Sequence, residues 1–69
     1  MPTKQARDCR ISDILLYKNE KSRSITDIDR RGEDYIFCTT TTLSGENFRC
    51  DIYDASDEVY VGGTQEALF

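Results

Sequence analysis

The sequence predicts a mainly β protein: a small antiparallel barrel or curled meander of five strands. Three observations carry that expectation. Between Glu33 and Asp54, two runs rich in Thr, Ile, Phe and Tyr flank a Ser44-Gly45 turn signal, the signature of a β-hairpin. Shorter runs around Ile14–Tyr17, Ser22–Asp29 and Val59–Val61 are set off by polar or glycine-bearing turns. The composition, 38% apolar and 32% charged with four Gly and one Pro, is that of a folded soluble chain and not of a disordered one.

The hairpin can be taken to a register. A three-residue loop Leu43-Ser44-Gly45, with Gly45 at positive φ, places Cys38 opposite Cys50. Ile36 with Ile52 and Thr40 with Phe48 share that face. The other face pairs Tyr35 with Tyr53, Phe37 with Asp51 and Thr39 with Arg49. The first face is the drier and is assigned to the core. A two-residue Ser44-Gly45 loop would set Cys38 against Asp51 and mix the faces, which disfavours it.

In chain order, residues 1–8 are polar and hold the only proline, so a loose terminus is expected. Over Cys9–Tyr17, Ile11, Ile14 and Leu15 suit one helical face, while Ile14-Leu15-Leu16-Tyr17 suits a short buried strand closed by Lys18-Asn19-Glu20-Lys21. Length and flanks favour the strand. Ser22–Asp29 reads as a second strand, because Ile and Thr favour extended backbone. The competing reading is one short helix, with Ser24 as N-cap, Arg30 and Arg31 in its last turn and Gly32 after it. On the strand reading, Arg30-Arg31-Gly32-Glu33 turns the chain into the central hairpin. Thr39–Thr42 continues its first strand with hydroxyls on both faces. Beyond Asp54, Ala-Ser-Asp-Glu makes a turn or single 3₁₀ turn, Val59 and Val61 alternate with Tyr60, and residues 62–69 form a tail ending in Leu68-Phe69.

Over residues 11–61 this layout resembles that of small SH3-like barrels, including Tudor and KOW types. The resemblance is one of strand order and turn length, so it implies a fold and hardly a function. The alternative is an α+β domain, with residues 3–19 as a helix on a three-stranded antiparallel sheet.

A chain of 69 residues makes one domain and buries only about 60% of its unfolded surface, a marginal core. Exposed strand edges and the Leu68-Phe69 tail add to that marginality, and homodimerisation is expected. Apolar runs fall short of the roughly 20 residues that span a bilayer, and residues 1–20 lack a signal peptide's apolar segment, which points to the cytoplasm. Cys9, Cys38 and Cys50 match neither a CxxC pair nor a secreted framework, so reduced, packed thiols are expected; a Cys38–Cys50 cross-strand disulfide is the alternative.

The absence of histidine removes the usual general base and leaves only thiolates and carboxylates for zinc. Neither a nucleophile–base pair nor a phosphate-cradling glycine loop is present. No catalytic residue, metal or cofactor is therefore assigned.

Charge is divided along the chain: net −4 overall, but +3 over residues 1–31 and −7 over residues 32–69. Tyr35, Phe37 and Tyr53, with Asp51 beside them, could hold a cationic side chain by cation–π attraction and charge. In Tudor-type domains an aromatic cage fills this role. The plainer reading makes the rings cross-strand pairs and outer core.

Lys18, Lys21, Arg23, Arg30 and Arg31 lie in two loops that a barrel could bring together, suiting single-stranded nucleic acid. A pI near 4.6 and the interleaved Glu20, Asp27 and Asp29 weaken that footprint. Asp51, Asp54, Asp57 and Glu58 lack the spacing and glycine of an EF-hand and read as a solvated turn. The expected function is thus a non-enzymatic module binding a protein partner or basic peptide through Tyr35, Phe37, Asp51 and Tyr53. The alternative is a nucleic-acid binder using Lys18, Lys21, Arg30 and Arg31.

Overall fold

Backbone pairing is built outward from the central hairpin. In the computed structural model, which describes residues 3–62, β4 (Asp34–Thr40) and β5 (Arg49–Asp54) run antiparallel. Cys38 faces Cys50, Ile36 faces Ile52, Tyr35 faces Tyr53, Phe37 faces Asp51 and Thr39 faces Arg49, the register expected. The loop is longer than three residues. Thr41 donates its N–H to Glu46 O at 2.9 Å and Gly45 to Thr42 O at 3.2 Å, with Gly45 at φ 95°, so pairing stops at Thr39–Arg49 and Thr40 never meets Phe48.

Upstream, β3 (Arg23–Arg31) pairs with β4 across a two-residue Gly32-Glu33 turn. Gly32, at φ 63°, takes the positive-φ first central position of a type II′ turn. Strand thus prevails over helix here, and a bulge explains why the two readings competed. Ile25 opposes Thr39 and Asp27 opposes Cys38, leaving Thr26 as an extra residue that donates its hydroxyl to Cys38 O at 3.1 Å. That insertion carries Ile25 and Ile28, three apart as on a helix face, to the same side of the sheet.

The outer elements complete the curl. β2 (Ile14–Leu15) pairs with Ser24 and Arg23 after a turn in which Ser12 has φ 81°. β6 (Glu58–Tyr60) pairs with β1 (Thr3–Gln5), so the N-terminus expected to be loose is a strand as far as it is described. Its polar residues carry no strand pattern; backbone bonds to β6 place them. A 3₁₀ turn (Ala6–Asp8) then bonds to the turn before β6, Ala6 N–H to Asp57 O at 2.7 Å and Arg7 N–H to Ala55 O at 3.1 Å. The helix over residues 3–19 does not form. A Leu15–Val61 bridge, with Leu16 N–H to Tyr60 O and Gly62 N–H to Ile14 O, joins the two-stranded β1–β6 sheet to the four-stranded β2–β3–β4–β5 sheet. The whole is a curled, mainly β half-barrel. Among the described residues no helix is long and apolar enough to cross a membrane. The tail beyond residue 62, with Leu68 and Phe69, lies outside the described residues.

The core is on the side of the hairpin opposite to the one expected. Phe37 has 0% of its surface exposed and packs in a cluster with Ala6, Cys9, Leu15, Ile25 and Val61, flanked by Tyr17, Ile28, Tyr35, Tyr53 and Val59. The Ile36–Cys38–Cys50–Ile52 face turns outward, and Ile52 is 70% exposed. Curvature supplies the reason. The concave side is covered by the outer elements, so it takes the bulkiest side chains, and burying an aromatic removes more apolar area from water than burying an isoleucine. The polar members of the concave face, Thr39, Arg49 and Asp51, bond to one another's strands or sit at the open rim.

The cysteines also differ from expectation. Cys38 and Cys50 form a disulfide across the outer face, with Cα atoms 4.1 Å apart. Cys9 is free and buried; burial, and next the charge of Asp13, push its thiol pKa up, so it stays protonated and unreactive.

Phe37→Ala is expected to destabilise the protein by about 3–5 kcal/mol, whereas Ile52→Ala should stay within about 0.5 kcal/mol. Urea unfolding of the two variants decides between the faces, because a core on the isoleucine side would reverse the order.

Candidate functional site

The four residues expected to form a binding face are brought together, but on the concave side. Phe37 has no exposed surface and can touch no partner, and Tyr35 and Tyr53 are half-buried against the core. The rings pack on each other: Phe37 and Tyr53 centroids lie 5.1 Å apart, Phe37 and Tyr35 6.4 Å apart edge to face.

Part of the capacity for cations on this side is taken up by the chain itself. Arg30 lies 5.7 Å over the Tyr35 ring, and Arg49 lies 5.5 Å over Tyr17. Asp51 accepts a hydrogen bond from Arg49 Nε at 2.8 Å, and Arg49 also donates to Glu20 at 3.0 Å. Arg23, buried nearby, donates to Asn47 O at 2.7 Å and to the Thr39 hydroxyl at 3.4 Å. Within the aromatic–acid constellation legible in the sequence, Tyr35 and Asp51 are thus already paired with cations of the chain itself.

Tyr17 belongs to this rim and was not singled out by sequence reasoning. Its hydroxyl lies 3.0 Å from that of Tyr53, and a cleft of about 300 Å³ opens beside it, lined by Leu16, Tyr17, Lys18 and Tyr60. Two tyrosines 43 positions apart in sequence carry no local signal of meeting; the Leu16–Tyr60 backbone bond makes them neighbours.

The basic residues are not brought together. Lys18 and Lys21 lie in the loop before β3, whereas Arg30 and Arg31 lie at its far end. Eight strand rises separate Arg23 from Arg31, roughly 26 Å at about 3.3 Å per residue. Arg31 is moreover paired with Asp29 at 3.1 Å. The single basic patch on which the nucleic-acid reading rested does not exist.

The acidic turn is likewise committed to its own backbone. Asp54 Oδ2 accepts from the Ser56 hydroxyl at 2.6 Å and from Ser56 N–H at 3.0 Å, while Asp57 Oδ2 accepts from Asp54 N–H at 2.9 Å. The Ser56 bonds, hydroxyl first, lower the Asp54 pKa.

Among the described residues, the convex face of β3–β4–β5 is also open. Its centre is apolar: Ile36, Ile52 and the Cys38–Cys50 disulfide, continued by Phe48, which is 64% exposed. Its border is acidic. Asp27 and Asp29 stand opposite Cys38 and Ile36, and Asp34 stands directly opposite Asp54. Arg31 is the one basic residue at these outward positions. Like charges facing each other across strands cost stability, so the Asp34–Asp54 end of the face favours a cation from outside.

No protein-family model matches the chain, and no curated protein or solved structure matches it either.

Tyr53 provides a pH test of the rim. Burial, and next its bond to Tyr17, raise its pKa above the ordinary 10.0. Its folded form stays neutral where the unfolded phenol ionises, so its contribution is complete below pH 10 and is lost as pH rises through the folded value. Of the four tyrosines, Tyr53 should form phenolate only as the protein unfolds in alkali, and Tyr53→Phe should abolish that late step in the phenolate absorbance titration. Titration of Tyr53 at the ordinary value in the folded protein would refute the packed rim.

Proposed function

We propose that this protein is a non-enzymatic interaction module that seats a basic protein segment, carrying an apolar anchor, on the convex face of its β3–β4–β5 sheet. The observation that carries this reading is the exposure of Ile52 on a face bordered by Asp27, Asp29, Asp34 and Asp54, with exposed Phe48 just before β5. An exposed apolar patch with a polar rim is the usual character of a protein-binding surface, and here the rim selects for Lys and Arg. The site differs from the tyrosine face expected from sequence, whereas the partner chemistry is the same. The likeness in layout to SH3-like barrels supports a binding role only by analogy. The disulfide at the centre of the face favours an oxidising compartment over the cytoplasm expected from the sequence.

The test is fluorescence anisotropy with short peptides that combine Lys/Arg with one Leu or Phe. Binding should weaken steeply with salt, since the acidic rim is exposed. Ile52→Lys should reduce affinity by at least about tenfold, equivalent to about 1.4 kcal/mol, with an unchanged circular dichroism spectrum. Tyr35→Ala, on the concave side, should leave peptide affinity unchanged in the folded fraction. Affinity that follows Tyr35 and ignores Ile52 would overturn the assignment.

A further inference from the structure

The strand at the margin of the four-stranded sheet, β5, is hydrogen-bonded on one side only. The 4.1 Å Cα separation of Cys38 and Cys50 is the narrow spacing of a non-hydrogen-bonded antiparallel pair. The N–H and C=O of Cys50 therefore point away from β4. By the two-residue alternation of the ladder, those of Ile52 do the same, and those of Phe48 follow once the strand is extended. Among the described residues no backbone group meets them, whereas the next donor, Asp54 N–H, is already bonded to Asp57. Such an edge is a template for another strand. At the other end, β2 is bridged to Val61, and β1, the outer strand of the two-stranded sheet joined there, is only three residues long and offers far less.

We propose that this edge is filled by the same edge of a second copy of the chain, antiparallel about a two-fold axis at Cys50. The side chains select the register. An axis at Arg49 sets Arg49 against itself, and an axis at Asp51 sets Asp51 against itself. An axis at Ile52 brings in Asp54, whose N–H is taken. The axis at Cys50 instead places Arg49 of each copy opposite Asp51 of the other, twice by symmetry.

On the convex face the same register sets Phe48 beside Ile52 of the second copy, again twice, which joins the two most exposed apolar side chains of the described residues into one wider patch. On the concave side each Arg49–Asp51 pair, already 2.8 Å apart within one chain and with Glu20 3.0 Å from Arg49, meets its counterpart so that Arg49 and Asp51 alternate across the junction. Two four-stranded sheets join into one of eight strands. This assembly does not rest on the basic-segment reading: it occupies the backbone edge, and a peptide on the face would meet a doubled surface.

Sedimentation equilibrium of the unaltered protein should give a dimer mass at micromolar concentration; a monomer up to hundreds of micromolar overturns the proposal. Arg49→Asp and Asp51→Arg each place like charges opposite one another at two positions and should weaken self-association by at least about tenfold. The double variant Arg49→Asp/Asp51→Arg exchanges the partners and should restore it. Single reversals that leave the dimer intact, or a double variant that remains monomeric while folded, would refute the register.

Arg49 also serves the fold, so a second line avoids it. In a Cys9→Ser/Cys38→Ser protein, Cys50 is the only thiol and should link covalently to its counterpart on mild oxidation. Failure to link while the mass is dimeric would move the interface elsewhere. Loss of peptide binding by a protein that still dimerises would count against the proposed function alone.

Discussion

Phe37 stands at the middle of β4 with none of its surface exposed, and the residues that cover it come from every part of the described chain: Ala6 and Cys9 from the N-terminal turn, Leu15 from β2, Ile25 from β3 and Val61 after β6. In so small a domain there is little else to bury. The sheet curls around this ring, and the curl makes one side of the hairpin concave and dry and the other convex and wet. The Thr26 bulge serves the same end by bringing both Ile25 and Ile28 to the concave side. Even the placement of β1, a strand without apolar residues, follows from the need to close the turn whose Ala6 caps the cluster.

At the rim of this core the chain meets its own electrostatic needs. Arg49 bonds Asp51 and Glu20 and covers Tyr17; Arg30 covers Tyr35; Tyr17 and Tyr53 share a hydroxyl contact. Tyr35 and Tyr17 each already face an internal guanidinium. An external Lys or Arg would have to displace a tethered group with no loss of translational freedom to recover, a poor exchange for a weak ligand. The rim thus acts as structure, and the capacity for recognition shifts to surfaces the core leaves unsatisfied.

Two such surfaces adjoin. Among the described residues, the convex face has apolar side chains without cover and carboxylates that oppose one another. The β5 edge has backbone groups without partners among the described residues. They differ in what they recognise, because side chains select by shape and charge whereas an edge selects by backbone register, with side-chain pairs choosing among registers. The Cys38–Cys50 disulfide lies where they meet and ties β5 to β4 at the position from which both extend.

The local pattern alone determined the β class, the pairing of Tyr35 with Tyr53 and Cys38 with Cys50, the strand at Ile14–Leu15 and the turn at Gly32, since these depend on side-chain period and on backbone conformations that glycine permits. Only the tertiary structure decided which hairpin face is the core. Alternation names two faces but not the direction in which the sheet curls, and the covering elements lie dozens of residues away. The candidate surface moved for the same reason. Tyr35, Phe37, Asp51 and Tyr53 were legible as a group, yet their place inside or outside depended on that curvature. The separation of Lys18 and Lys21 from Arg30 and Arg31 depended on β3 being one long strand, and the strand at Thr3–Gln5 on backbone bonds that no side-chain pattern announces.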